Sequence, residues 1–266
     1  MAAGLPKTTR VALHSGLPLQ RTQGGGQVVP GRSRRSIPWS SLFPFTVLMS
    51  LCSLAVPCQL YSTASLRPFT APLQFLADRL SHAHGTSIVC LGDSLTQGIG
   101  ASRGHDYPSV LSKTLEMTVI NAGVDGDETT DALKRLESDV LAKDPRMVIV
   151  ELGANDLLDG QPLAQAFENL DQIVRRIDER GAMVVLVGIA PGPFGDTLQH
   201  YYDALIHKYH VAFVPKVLEG ILTNPGLKSN DHLHPNDRGY ELIAERIQRV
   251  VTPLLHRSEE LGKPPQ

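Results

Sequence analysis

The chain has 266 residues, of which 42% are hydrophobic and 20% charged, so it is long enough and apolar enough to bury the core of a full domain. Its net charge of -2 is unevenly distributed, because residues 1–77 hold seven basic side chains and no acid, while the remaining 189 residues carry a net charge of -9. Such an acidic domain argues against nucleic-acid partners, which require clustered Lys and Arg, and three cysteines argue against a disulfide framework.

The N-terminal part of the chain has the composition of a targeting segment. Residues 1–36 are rich in Gly, Pro, Arg and Ser without any period, which predicts a disordered basic segment. We interpret 37–64 as an apolar signal or membrane-anchor segment, because an uncharged run over 42–56 follows a basic cluster and precedes small polar residues. The expected location is exported, periplasmic or membrane-anchored. Organelle targeting, or a cytoplasmic protein with a mis-assigned start codon, remains an alternative.

Beyond a predicted linker over 65–85, which holds a short helix over 72–84, apolar strand patterns alternate with helical patterns. Strands are predicted over 88–91, 119–122, 147–152, 183–189 and 211–214. Helices are predicted over 107–116, 129–142, 163–180, 198–209 and 238–255. Short strands separated by helices require parallel pairing with right-handed crossovers. We therefore expect one α/β domain over 86–257, a flavodoxin-like three-layer α/β/α sandwich with a parallel sheet of about five strands, and a polar tail over 258–266.

Ser94 follows the first predicted strand directly, so its hydroxyl is expected at the carboxyl edge of the sheet, where open parallel sheets hold their ligands. Ser94 is therefore our candidate nucleophile. Acyl transfer by serine also needs a general base and a group that orients this base. The loop before the last helix supplies both, because Asp231 can place its carboxylate on one ring nitrogen of His234 while the other nitrogen faces Ser94. His232 is a competing base, but its adjacency to Asp231 makes that pairing awkward.

Donors for an oxyanion are expected at the ends of the neighbouring strands. Two glycines follow the second strand, where a backbone N–H can approach a substrate closely, and Asn155 follows the third. The Ser94 N–H, one glycine N–H and the Asn155 amide would make three donors. Leu157 and Leu158, together with Phe194 after the fourth strand, are the candidate substrate-binding residues. The sequence contains neither a metal-ligand cluster nor a phosphate-loop signature, so we expect no metal and no cofactor.

Four sequence blocks occur in order at these positions: Gly92-Asp93-Ser94-Leu95, residues 121–127, Gly153-Ala154-Asn155-Asp156, and Asp231-x-x-His234-Pro235. Together they resemble the GDSL or SGNH hydrolase family over about residues 88–247, and most closely its bacterial thioesterase, arylesterase and lysophospholipase branch. The resemblance implies the SGNH hydrolase fold, Ser94 as nucleophile, His234 as base and Asp231 as its partner, without a metal. It also aligns Gly126 with the oxyanion donor and leaves Gly123 as the second choice.

The expected function is hydrolysis of carboxylic esters or thioesters of acyl chains through an acyl-enzyme, as in an arylesterase, acyl thioesterase or lysophospholipase. The expected partner is a small-molecule acyl ester or thioester, with membrane association through the N-terminal segment. A carbohydrate O-acetylesterase with the same triad is one alternative. A catalytically silent lipid- or glycan-binding module is another, and a flavodoxin-like nucleotide binder is the third.

Overall fold

The computed structural model describes residues 72–189 and 195–261. The predicted segments 1–36 and 37–64 lie outside these ranges, as does Phe194, so export, membrane anchoring and a role for Phe194 stay predictions. Within the two described ranges, no helix combines the length and the apolar character that crossing a membrane requires.

Five parallel strands form one sheet: β1 (Ile88–Gly92), β2 (Val119–Gly123), β3 (Met147–Glu151), β4 (Met183–Val187) and β5 (Ala212–Val214). Their order is β2-β1-β3-β4-β5, so β1 lies between β2 and β3. The last residue of β1, Gly92, is in register with Gly123 on one side and with Glu151 on the other. The segments that follow β1, β2 and β3 therefore begin side by side at one edge of the sheet.

Helices cover both faces of this sheet, which confirms the predicted three-layer sandwich. They are α1 (Leu73–Ser81), α2 (Ser94–Gln97), α3 (Tyr107–Leu115), α4 (Thr129–Asp139), α5 (Ala154–Leu158), α6 (Leu163–Glu179), α7 (Gly195–Tyr209) and α8 (Asp237–Leu261), with 3₁₀ turns at Leu141–Lys143 and Pro225–Leu227. Ile88 and Cys90 pack into the layer with α1, α3 and α8, and Val89 and Leu91 into the layer with α4, α6 and α7. β1, β3, β4 and β5 are buried along their whole length and are therefore mostly apolar. β2, at the edge of the sheet, is only partly buried, and its Asn121 is exposed.

Helices that pack on the core extend past both ends of the predicted 86–257 domain. The segment interpreted as a linker contributes α1 to the core, since Leu76 and Leu80 are buried in the layer that contains α8. The last helix continues to Leu261, past the predicted boundary at 257. Ser258, placed in the polar tail by its sequence, is only 1% exposed and accepts a hydrogen bond from Arg146 over 3.0 Å. Residues 256–260 are all polar, so the sequence does not show that Ser258 is buried within the last helix.

Two short helices at the carboxyl edge were not predicted. They are α2, of four residues, directly after β1, and α5, of five residues, directly after β3. Helices of this length are too short to show a 3.6-residue period, so only turn signals mark them in the sequence. Both turn the chain at the edge where the candidate site residues lie.

Candidate active site

Ser94 is held at the carboxyl edge by a tight turn between β1 and α2. Asp93 caps α2, accepting a hydrogen bond from the Leu95 N–H over 2.9 Å, which fixes the backbone on both sides of the serine. Gly92 makes the turn sterically feasible, because a Cβ at this position would lie 1.9 Å from the Thr96 hydroxyl oxygen. The sharp turn presents the Ser94 hydroxyl to the loop that precedes α8.

A continuous hydrogen-bonded line joins three of the predicted site residues. His234 Nε2 lies 2.9 Å from Ser94 Oγ, and His234 Nδ1 lies 2.7 Å from Asp231 Oδ2. Because a carboxylate only accepts, Nδ1 carries the ring proton and Nε2 accepts from the Ser94 hydroxyl. The imidazole is thus oriented as a base for a nucleophilic serine.

Asp231 is held as an anion by donors within its own loop. Its Oδ1 accepts from the Ser229 hydroxyl over 2.6 Å and from the backbone N–H groups of Leu233 and His234 over 2.9 Å each. The Ser229 hydroxyl, followed by His234 and the backbone donors, holds the pKa of the Asp231 carboxyl well below its usual range. The competing histidine, His232, is exposed and adopts a left-handed backbone with φ of 60°. The structure brings His234, rather than His232, onto the serine.

The two candidate glycines differ in whether their N–H is free. The Gly123 N–H donates to Asn121 Oδ1 over 2.9 Å, and a Cβ on Gly123 would lie 2.1 Å from the backbone nitrogen of Gln97. Gly126 has a φ of 79°, and a Cβ there would have no atom within 4 Å. In the described part of the chain, no acceptor pairs with its N–H. Gly123 is thus a packing glycine, whereas Gly126 offers an open donor.

Asn155 opens α5 at the end of β3, and its side-chain amide is partly engaged. Nδ2 donates to the Asp127 carbonyl oxygen over 2.9 Å and lies 3.4 Å from Asp93 Oδ2. The second distance exceeds the usual hydrogen-bond range, so that amide hydrogen is only weakly held. One hydrogen anchors Asn155 to the loop that carries Gly126, and the other remains available to a ligand.

Arg135, which lies outside the four sequence motifs, ties the turns after β1 and β2 together. Its guanidinium donates to Asp127 Oδ2 over 2.6 Å, to the Ala122 carbonyl over 2.8 Å and to the Gly92 carbonyl over 3.0 Å. The only sequence signal was its place among the core-facing positions of an amphipathic helix, next to the buried Leu136.

Exposed apolar side chains lie close in the chain to the site residues. Leu158 is 70% exposed, whereas Leu157 packs partly against the core. Val124 and Leu233, at 40% and 57% exposure, are two further large apolar side chains on the surface. Each exposed residue lies within three positions of Gly126, Asn155 or His234 in the chain. In the described ranges, no cluster of three or more His, Cys, Asp or Glu side chains could hold a metal ion.

Comparison with known proteins shows the same pattern over most of this domain. Residues 90–242 match the model of the GDSL-like Lipase/Acylhydrolase family. An arylesterase of Vibrio mimicus is 33% identical over 174 residues, covering 62% of this chain and 87% of the relative. Thioesterase 1/protease 1/lysophospholipase L1 of Escherichia coli K12 is 29% identical over 181 residues, covering 65% and 87%.

Among solved structures, the esterase EstA of Pseudoalteromonas sp., inhibited by monoethylphosphonate, superposes with a TM-score of 0.58. It is 25% identical, and the match covers 65% of this chain and 100% of that one.

Proposed function

Because the chain belongs to the GDSL-like lipase/acylhydrolase family, whose members act on esters, we propose that it hydrolyses acyl-chain esters or thioesters through a covalent acyl-enzyme on Ser94. The observation that carries this proposal is the line from Asp231 through His234 to Ser94, with contacts of 2.7 and 2.9 Å. The relatives named as arylesterase and thioesterase support the two substrate classes.

In the proposed reaction, Ser94 Oγ attacks the carbonyl carbon while His234 Nε2 takes the hydroxyl proton. Asp231 stabilises the resulting imidazolium through Nδ1. The imidazolium then returns the proton to the departing alcohol or thiol, which leaves an acyl ester on Ser94. Water attacks that ester with His234 again acting as base, and the carboxylic acid and the free serine are released.

The negative charge that develops on the carbonyl oxygen needs donors already in place. The Gly126 N–H, the weakly held hydrogen of the Asn155 amide and the Ser94 N–H are the three we assign to it. Loss of one such donor is expected to cost about 2.7 to 4 kcal/mol of transition-state stabilisation. Gly126 is preferred to Gly123 because the Gly123 N–H is already bonded to Asn121.

An acyl chain is the preferred substrate group because the exposed side chains of Val124, Leu158 and Leu233 are apolar. Covering such side chains with an acyl chain contributes about 25 cal/mol for each Å² of apolar surface removed from water. An acetylated sugar would gain little from these contacts.

The test is hydrolysis of p-nitrophenyl esters from acetate to laurate by the full chain, beside Ser94→Ala. We expect kcat/KM to rise with chain length, and kcat to fall by at least about a thousandfold in Ser94→Ala. Ser81→Ala is the matched control and should leave kcat unchanged, because Ser81 is a half-buried serine at the end of α1 whose hydroxyl donates to a carbonyl of the same helix. A loss of less than about tenfold in folded Ser94→Ala would overturn the mechanism.

A further inference from the structure

A buried carboxyl group lies directly behind the nucleophile turn and is unused by the proposed mechanism. Glu151, the last residue of β3, is 1% exposed. Its Oε2 accepts from the Thr96 hydroxyl over 3.1 Å, and Tyr107 Oη lies 2.8 Å from the same hydroxyl oxygen. Its Oε1 is fully buried and has no donor within the described residues. An ionised carboxylate here would leave one oxygen without a partner, a costly arrangement.

The carboxyl group beside Glu151 belongs to Asp93, which directly follows Gly92, the register partner of Glu151, and which is also 1% exposed. Asp93 Oδ1 accepts from the Leu95 N–H over 2.9 Å, and its Oδ2 lies 3.4 Å from Asn155 Nδ2. Two buried carboxyl groups in contact cannot both be charged. A single proton on Glu151 Oε1 removes the like-charge repulsion and gives Asp93 the further donor that it lacks.

The electrostatics agree with this placement of the proton. Burial, followed by the Asp93 charge, raises the pKa of Glu151 well above its ordinary value. Burial also raises the pKa of Asp93, but the Leu95 N–H and the Glu151 carboxyl oppose the shift, so Asp93 ionises first. His234 and Asp127 act electrostatically on Asp93, and the charges of the pair in turn raise the pKa values of Tyr107, Tyr202 and Tyr240.

We propose that Glu151 is a positioning residue: a neutral carboxylic acid whose Oε1–H donates to Asp93 and so holds the Asp93 carboxylate between the nucleophile turn and Asn155. The hydrogen bonds then run in one direction, from Tyr107 through Thr96 and Glu151 to Asp93. Gly92 is required for this hydrogen-bonded chain, since the absence of a Cβ leaves room for the Thr96 hydroxyl.

This positioning role rests on the proposed esterase function, because its consequence is the placement of two catalytic groups. Without the Glu151 donor, the donors to Asp93 among residues 72–189 and 195–261 are the Leu95 N–H and, weakly, the Asn155 amide. A displacement of about 1 Å at a reacting group can cost about a hundredfold in rate. Substrate binding involves other residues, so KM should not change.

The experiment compares Glu151→Gln with Glu151→Leu in the full chain. Gln keeps a donor towards Asp93 and an acceptor for Thr96, whereas Leu keeps similar volume without either. We expect Glu151→Leu to lower kcat about tenfold to a hundredfold at constant KM, and Glu151→Gln to retain most of the activity. Loss of the donor at position 151 raises the pKa of Asp93. The acidic limb of the plot of kcat against pH should therefore move to higher pH in Glu151→Leu and stay in place in Glu151→Gln.

A second measurement is independent of activity and of whether the Leu variant folds. The infrared spectrum of the wild-type chain at neutral pH should show the C=O stretch of a protonated carboxylic acid, and Glu151→Gln should lack it. Absence of this band overturns the proposal, as does an equal loss of kcat in both variants or an unmoved acid limb in folded Glu151→Leu.

Labelling of Ser94 by an organophosphonate separates this proposal from the one on which it rests. An unlabelled wild-type chain refutes the esterase function. Equal labelling rates in wild type and folded Glu151→Leu refute the positioning role alone.

Discussion

Replacing Arg135 by Met tests how strongly one cation organises the edge of the sheet. Arg135 and Asp127 form a 2.6 Å ion pair with side-chain exposures of only 15% and 9%. The guanidinium also donates hydrogen bonds to the carbonyl groups of Gly92 and Ala122. Met preserves the length of the apolar stem but leaves a nearly buried carboxylate and two carbonyl groups without this donor.

The expected cost follows from the burial of the pair. Removing one partner of a buried ion pair destabilises a protein by about 3 to 5 kcal/mol. Because a domain of this kind is stable by about 5 to 15 kcal/mol, Arg135→Met should still fold at room temperature with a clearly lower urea midpoint. The turns that carry Ser94 and Gly126 should loosen together, so we expect kcat to fall by more than about tenfold.

The assay is urea unfolding followed by circular dichroism, with ester hydrolysis measured on the same samples. Arg180→Met is the matched control, since Arg180 pairs with Glu137 over 2.7 Å but both side chains are more than half exposed. An exposed pair contributes at most about 1 kcal/mol. If Arg135→Met costs no more than Arg180→Met, the guanidinium does not organise this edge and the reasoning is refuted.

Three further predictions concern single positions. Gly123→Ala should lower the free energy of unfolding by about 1 to 3 kcal/mol, because its Cβ crowds the backbone. Gly126→Ala should add about 1 to 2 kcal/mol of backbone strain and mainly lower kcat. Similar kinetic effects from both variants would contradict the assignment of Gly126 as the oxyanion donor. His234→Ala should abolish ester hydrolysis while His232→Gly, compatible with its φ of 60°, leaves it intact, and the opposite result would transfer the role of base. The folded chain keeps a proton on Glu151 that the unfolded chain releases, because burial raises the pKa of this carboxyl group. The free energy of unfolding of the wild type should therefore fall above about pH 5, by up to about 1.4 kcal/mol per pH unit. The same pH dependence in Glu151→Gln would exclude the raised pKa.

Much of the fold was predictable because four of its five strands, all except β2, are buried on both faces. The ends of four strands lie within one residue of the predicted ends, and β4 lies inside the predicted run over 183–189, ending at Val187. The short helices α2 and α5 were missed, since four or five residues show no period. The packing of α1 against α8 was not predictable, because it brings together segments that are distant in sequence.

Ser94, Asp231 and His234 were recognisable as candidates because the chemistry of acyl transfer restricts residue types strongly and the local order of the motifs encodes it. Their approach across 140 residues depends on the tertiary structure. The motif resemblance already favours Gly126 over Gly123, and the tertiary structure supplies the physical reason, because the Gly123 N–H is bonded to Asn121. Arg135 and Glu151 likewise acquire their roles from burial: in water they would be ordinary charged side chains, and only the folded surroundings decide which ion pair is formed and which proton is retained.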